Sequence, residues 1–166
     1  MSLFRDENPA LGPTTQVKEL SGYGAGTPVV NYFKPGTREI IDVPLLSAST
    51  TPANFWVYQG PFSSQFVGAH ANFTVTSTSG TANLVKITAD GIAPSTADNG
   101  TTVRNLLSAP MSLSGTANTR VNGSLNSAAA GSPLILNPGD QIAIQLGGTL
   151  TGLAGCNVQF ELAQIG

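Results

Sequence analysis

The sequence predicts an all-β protein: an antiparallel β-sandwich of about eight strands, preceded by an extended arm. Glycine and proline contribute 19 and 11 of the 166 residues, so the chain is divided into many short segments and long helices are excluded. The segments between these residues alternate apolar with polar side chains, which is the periodicity of half-buried strands. The length indicates a single domain.

The surface of this domain is predicted to be polar but weakly charged. Charged residues make up 10% of the chain, against about 25% in an average soluble protein. Serine and threonine, 33 residues together, therefore cover much of the exposed part. A formal net charge of -2 gives no basis for electrostatic binding to nucleic acid, so no such partner is expected.

Residues 1–26 are predicted to form the arm, and residues 27–166 the sandwich. Residues 1–42 hold nine of the sixteen charges, and prolines and glycines interrupt the arm without leaving a helical or strand period. Fully extended, the arm could reach on the order of 85 Å, which suggests a partner outside the domain. The residues expected to bind that partner are Leu3, Phe4, Arg5, Leu11, Val17 and Leu20.

Eight segments of the sandwich have the character of strands. They are residues 29–33, 39–45, 55–59, 66–76, 83–89, 101–107, 141–146 and 157–165. The last two are the clearest, because apolar residues alternate regularly with small or polar ones. A Pro-Gly-Asp turn at residues 138–140 leads into the first of these two.

The strand at residues 55–58 is predicted to contact another subunit. It reads Phe55, Trp56, Val57, Tyr58, so apolar or aromatic side chains cover both of its faces. Tryptophan and tyrosine are enriched at protein interfaces, which makes Phe55, Trp56 and Tyr58 the candidate contact residues. The alternative is a strand whose second face is covered by a loop of the same domain.

The only histidine, His70, is predicted to be solvated rather than catalytic. In segment 66–76 the odd positions from Val67 to Val75 are expected to form the packed face, which places Phe66 and His70 on the opposite face. No Gly-x-Ser-x-Gly motif accompanies the histidine. A ring of His70 side chains about a symmetry axis could hold a metal, but no metal site is predicted.

The remaining reactive groups are assigned structural roles, so no enzyme activity is expected. Asp90, Asp98 and Asp140 occupy turn sequences, and Glu161 lies on the outward register of the last strand. The single cysteine, Cys156, excludes an internal disulfide and any cysteine-based zinc site, and its register predicts a buried thiol. No cofactor is predicted.

No membrane role is expected either. The chain has no apolar run approaching the ~20 residues of a transmembrane span. Residues 1–8 lack the apolar stretch of a secretory signal, so synthesis in the cytoplasm is expected.

The closing part of the chain resembles a known family. Residues 134–162, LILNPGDQIAIQLGGTLTGLAGCNVQFEL, look like the closing hairpin of jelly-roll proteins in virions. In particular, the chain resembles the small decoration, or cement, proteins of tailed-phage capsids. That resemblance implies a jelly-roll fold and oligomers, often trimers, which sit at capsid symmetry axes and bridge the major capsid subunits.

We therefore expect a structural virion protein on the capsid surface. It would bind the outside of a phage capsid and stabilise it. Its partners would be the major capsid protein and further copies of itself, with which it would form a homotrimer. The alternative is a carbohydrate- or receptor-binding fibre or tip domain, in which Trp56 and Tyr58 would form an aromatic platform.

Overall fold

Ten β-strands and no helix make up the regular structure of the described residues. The computed structural model describes residues 38–45, 54–127 and 133–165. The strands are β1 (Arg38–Leu45), β2 (Asn54–Gln59), β3 (Ser64–Asn72), β4 (Thr81–Ile87), β5 (Val103–Asn105), β6 (Met111–Ser112), β7 (Val121–Asn122), β8 (Ile135–Leu136), β9 (Gln141–Gly147) and β10 (Cys156–Gln164). The predicted arm and the predicted strand at residues 29–33 lie outside this part of the chain.

The strands form two antiparallel sheets packed against each other. Sheet A has the order β1-β10-β3-β7, with β8 also pairing with β3. Sheet B has the order β2-β9-β4-β5, with β6 also pairing with β4. The pairs are nested, since β1 pairs with β10, β2 with β9, β3 with β7 and β4 with β5, and this nesting is that of a jelly roll. The predicted all-β sandwich is confirmed.

Seven of the eight predicted strands coincide with observed strands, and three observed strands were not predicted. The three are β6, β7 and β8, each of two residues. Two residues are too few to show an alternation of apolar and polar positions.

The core lies between the two sheets and is centred on aromatic residues. Phe66 and Phe160 stack with ring centroids 6.1 Å apart, and Tyr58 meets Phe160 edge-on at 6.4 Å. Leu84 and Ile144 of sheet B pack into the same buried cluster. These contacts join both sheets into one apolar interior.

The packed face predicted for segment 66–76 is wrong at both ends of that segment. Ala69 is buried as expected, but Phe66 is fully buried and Val75 is 48% exposed. The cause at Phe66 is a β-bulge: β10 pairs with Gly68 and next with Phe66, so Val67 has no opposite residue. A bulge shifts the register by one residue and exchanges the two faces of the strand. Val75 lies beyond the end of β3.

The outer face of sheet B is covered by the connection between β4 and β5. Val85, Val103 and Ala143 form a second small buried cluster, against which Ile92 of this connection packs. The amide of Gln145 fixes the connection by donating to two of its carbonyl oxygens, at 2.8 and 2.7 Å. Sheet B is therefore apolar on both faces where the connection crosses it.

Candidate binding surfaces

The aromatic strand β2 points its side chains to two different faces. Phe55 and Tyr58 lie opposite buried isoleucines of β9 and pack on the core, whereas Trp56 lies opposite Ala143 on the outer face. A register shift at Val57 makes this possible, because it adds one residue between Trp56 and Tyr58. Trp56 is 43% exposed. Of the three predicted interface residues, Trp56 is therefore the exposed one.

Tyr58 is held on the inner side of the sandwich. Its hydroxyl donates to Oε2 of Glu39 in β1 over 3.2 Å, and its ring contacts Phe160. Burial, followed by the charge of Glu39, raises the pKa of Tyr58 to about 12. Since Trp56 faces outward, the two rings lie on opposite faces of β2, and the predicted platform of Trp56 with Tyr58 is not formed.

A groove of about 750 Å³ runs beside Trp56. Its walls are β2 on one side and Ile92 and Pro94 of the β4–β5 connection on the other, with Gln59 and Gln141 at one end. A half-exposed tryptophan at the rim of a groove is a suitable contact for another protein surface. The predicted subunit contact stays a prediction, now centred on Trp56.

The outer face of sheet A carries a row of polar side chains across four strands. Asp42, Gln159, His70 and Asn122 lie opposite one another on β1, β10, β3 and β7. Oδ1 of Asp42 accepts hydrogen bonds from Gln159 at 2.6 Å and from Asn157 at 3.1 Å. The row is thus partly fixed by its own contacts.

His70 faces outward, as its register predicted, and is hydrogen-bonded to Arg120. Nη2 of Arg120 lies 2.9 Å from Nδ1 of His70. Arginine only donates, so Nδ1 must accept and the proton of the neutral ring is on Nε2. Burial, and then the charge of Arg120, lowers the pKa of His70, while Asp42 and Glu161 oppose that change. A general base is usually oriented by a carboxylate, whereas here the partner is a cation.

A second groove, of about 500 Å³, lies on the same face of sheet A. Its lining includes His70, Arg120, Glu161 and Ile40, the last of which is 59% exposed. Oε1 of Glu161 accepts from Nη1 of Arg38 over 2.7 Å, and this exposed ion pair contributes little stability. Polar side chains therefore meet several apolar ones in this groove, among them Ile40, Val67 and Leu125.

The turn carboxylates hold the backbone, as predicted. The two carboxylate oxygens of Asp98 accept from the amides of Gly100 and Asn105, each at 2.8 Å. Asp140 accepts from the amide of Asn137 at 2.8 Å. Each of these two carboxylates therefore fixes backbone close to it in sequence.

Cys156 is buried, which confirms the predicted core thiol. Burial raises the pKa of the thiol to about 11. Within residues 38–45, 54–127 and 133–165, no three histidine, cysteine, aspartate or glutamate side chains are grouped so as to hold a metal ion. The same residues contain no helix long and apolar enough to cross a membrane. The predicted arm residues Leu3, Phe4, Arg5, Leu11, Val17 and Leu20 lie outside this range.

Sequence analysis did not identify two charged residues with specific contacts, Lys86 and Arg120. Lys86 is only 6% exposed, and its Nζ donates to the carbonyl of Ile135 over 2.8 Å. The signal was available, because Lys86 shares its register with the core residue Leu84. Arg120 gave no comparable signal, since its contact with His70 spans 50 residues of sequence.

No model of a known protein family matches this sequence, and no curated protein matches it either. The fold and its surfaces are therefore what supports a function for this chain.

Proposed function

We propose that this chain is a structural virion protein that binds the outside of a phage capsid and stabilises it. The observation that carries the proposal is the nested pairing of its strands, because this jelly-roll order is an architecture of viral capsid proteins. Fold alone does not fix function, so the proposal also depends on surfaces suited to protein contacts.

Two such surfaces support the proposal, one on each sheet. Trp56 is half-exposed beside a groove on sheet B, and Ile40 is exposed on sheet A. Ile40 belongs to β1, the edge strand of sheet A among the described strands. An edge strand can pair with a strand of another chain. We assign the groove at Trp56 to contacts between copies in a homotrimer, and the side of β1 to the capsid.

The predicted arm, residues 1–26, precedes β1 in sequence and would extend the capsid contact. Each of its larger apolar side chains, such as Phe4 and Leu11, could contribute about 1.5 to 3 kcal/mol when buried, before the cost of ordering the chain. The major capsid protein is the proposed partner.

A co-sedimentation experiment tests this function. Capsids of the phage, prepared without this chain, are mixed with the full chain or with a variant lacking residues 1–26, and both mixtures are imaged by negative stain. The full chain is expected to sediment with the capsids and to raise the temperature at which they open. The shortened variant should keep the circular dichroism of a β-sandwich and bind at least about tenfold more weakly. Capsids that the full chain leaves bare would refute the function, and full binding by the shortened variant would refute the role of the arm.

A further inference from the structure

The groove on the outer face of sheet A has the dimensions of a small-molecule site. Its volume of about 500 Å³ falls within the usual range of about 300 to 1,000 Å³. Gly68 forms part of its floor, and a β-carbon at Gly68 would meet no atom within 4 Å. The missing side chain is thus one reason why the groove is open.

The charges around this groove are suited to an anionic group. Among the described residues, Arg120 forms no ion pair, and the one hydrogen bond recorded for its side chain leads to His70. Guanidinium has five N–H donors, so most of them are available to a ligand. The nearby carboxylates already have partners, since Glu161 pairs with Arg38 and Asp42 accepts from Gln159. Arg120 is therefore the cation of this groove that is available to the carboxylate of a ligand.

The other polar groups around the groove, besides Arg120, are suited to hydroxyls. The neutral ring of His70 keeps its Nε2–H as a donor, and Asn122, opposite His70, adds an amide that both donates and accepts. Oε2 of Glu161 remains as an acceptor, because the hydrogen bond from Arg38 reaches Oε1. A sugar hydroxyl both donates and accepts, so it can use all of these groups. Ile40 offers an apolar wall for the C–H groups of a sugar ring.

The position of the groove disfavours an extended peptide as its occupant. The groove spans β1, β10, β3 and β7 on the face of the sheet, where the backbone groups of the inner strands β10 and β3 are used in the ladders. A peptide that adds as a strand needs an edge. Recognition on the inner strands therefore depends mainly on side chains, and a few placed polar side chains in a groove of this size suit a small ligand.

We propose that this groove binds a carboxylated sugar, such as a uronic or sialic acid unit of an acidic glycan. Arg120 binds the carboxylate, His70, Asn122 and Glu161 bind hydroxyls, and Ile40 packs against the ring. Ile40 also lies on the side of β1 that we assign to the capsid, so sugar binding is tested on the free chain, where it can fail without the capsid function and the reverse.

Protein NMR of the ¹⁵N-labelled full chain tests the site. N-acetylneuraminate and D-glucuronate are titrated into the protein. The controls are D-glucose, a neutral sugar, and acetate, a carboxylate without a sugar. The acidic sugars should shift the amides of Gly68, Arg120 and Asn122 and saturate at millimolar concentration, with glucose and acetate at least about tenfold weaker. Unchanged spectra with both acidic sugars, or equal binding of acetate, would overturn the proposal.

Two variants and a control locate the binding. Arg120→Gln, at an exposed position, should weaken the binding of both acidic sugars at least about tenfold. Gly68→Leu should abolish it by filling the groove, while Gly115→Leu should leave it intact, because a β-carbon at Gly115 also meets nothing within 4 Å and Gly115 does not line the groove. Melting temperatures confirm that each variant is folded. Wild-type affinity in Arg120→Gln would refute the site even if Gly68→Leu failed to fold.

Discussion

The ammonium group of Lys86 in β4 donates to the carbonyl oxygen of Ile135 in β8 over 2.8 Å, which links sheet B to sheet A. Burial lowers the pKa of Lys86, while the charge of Asp140 acts in the opposite direction. Taking an ammonium group out of water has a cost that one hydrogen bond to a neutral carbonyl only partly offsets.

That cost should appear in the pH dependence of stability. In the unfolded chain Lys86 keeps its proton up to about pH 10.5, whereas the folded protein releases it at a lower pH. Between these two values the unfolded state binds more protons, so the free energy of unfolding should rise with pH. Lys86→Met removes this contribution, and urea unfolding of both proteins from pH 7 to pH 10.5 measures the difference. Parallel stability curves would show that Lys86 is not buried in this way.

Phe160 provides a direct test of the core register. Phe160→Ala should lower the free energy of unfolding by about 3 to 5 kcal/mol, because its ring contacts Phe66 and Tyr58 and the cavity left behind cannot close fully. Gln159→Ala is the matched control on the next residue. It loses a hydrogen bond to Asp42 on the outer face and should cost about 1 kcal/mol or less. Similar losses in the two variants would contradict the register of β10.

The sequence predicts which residues of a strand are buried only where the strand is regular along its own length. In β10, Cys156, Phe160 and Leu162 were predicted to be buried and are, because one buried face of a regular strand leaves a period of two in the sequence. Phe66 was assigned to the wrong face, because the bulge at Val67 arises from pairing with β10, about 95 residues away in sequence.

For the binding surfaces too, the direction of a side chain was predictable from its own strand, whereas its contact partner was not. The outward direction of His70 follows from the register of its own strand. The contact of His70 with Arg120 depends on the pairing of β3 with β7. Strand β7 has only two residues, so its sequence gives no alternation from which the strand could be predicted. The cover over the second face of sheet B is equally non-local, because Ile92 reaches Val85 only when the β4–β5 connection folds back. Cross-strand contacts of this kind require the tertiary fold.

The contact between His70 and Arg120 predicts a measurable titration. The pKa of His70 should lie below 6.5, and Arg120→Ala should raise it, although not fully, because burial is the larger cause. Asp42→Asn should lower it further by removing a negative charge. NMR titration of the imidazole protons of the single histidine measures each value. The stability of the protein should fall as the pH falls from 6.5 through the folded pKa, since the unfolded chain takes up this proton first. A pKa that does not change in Arg120→Ala would contradict the hydrogen bond.

Trp56 predicts the oligomeric state. If the groove beside Trp56 is the contact between copies, light scattering of the full chain at micromolar concentration should give three times the 17.0 kDa mass of one chain. Trp56→Ala should shift this mass towards the single chain, because truncating a buried interface tryptophan commonly costs 2 kcal/mol or more, or about thirtyfold in affinity for each contact. Val75→Ala is the matched control, since Val75 is similarly exposed at 48% but lies outside the groove. A wild-type mass of one chain would rule out a preformed trimer, and a trimer that survives Trp56→Ala would move the contact away from β2.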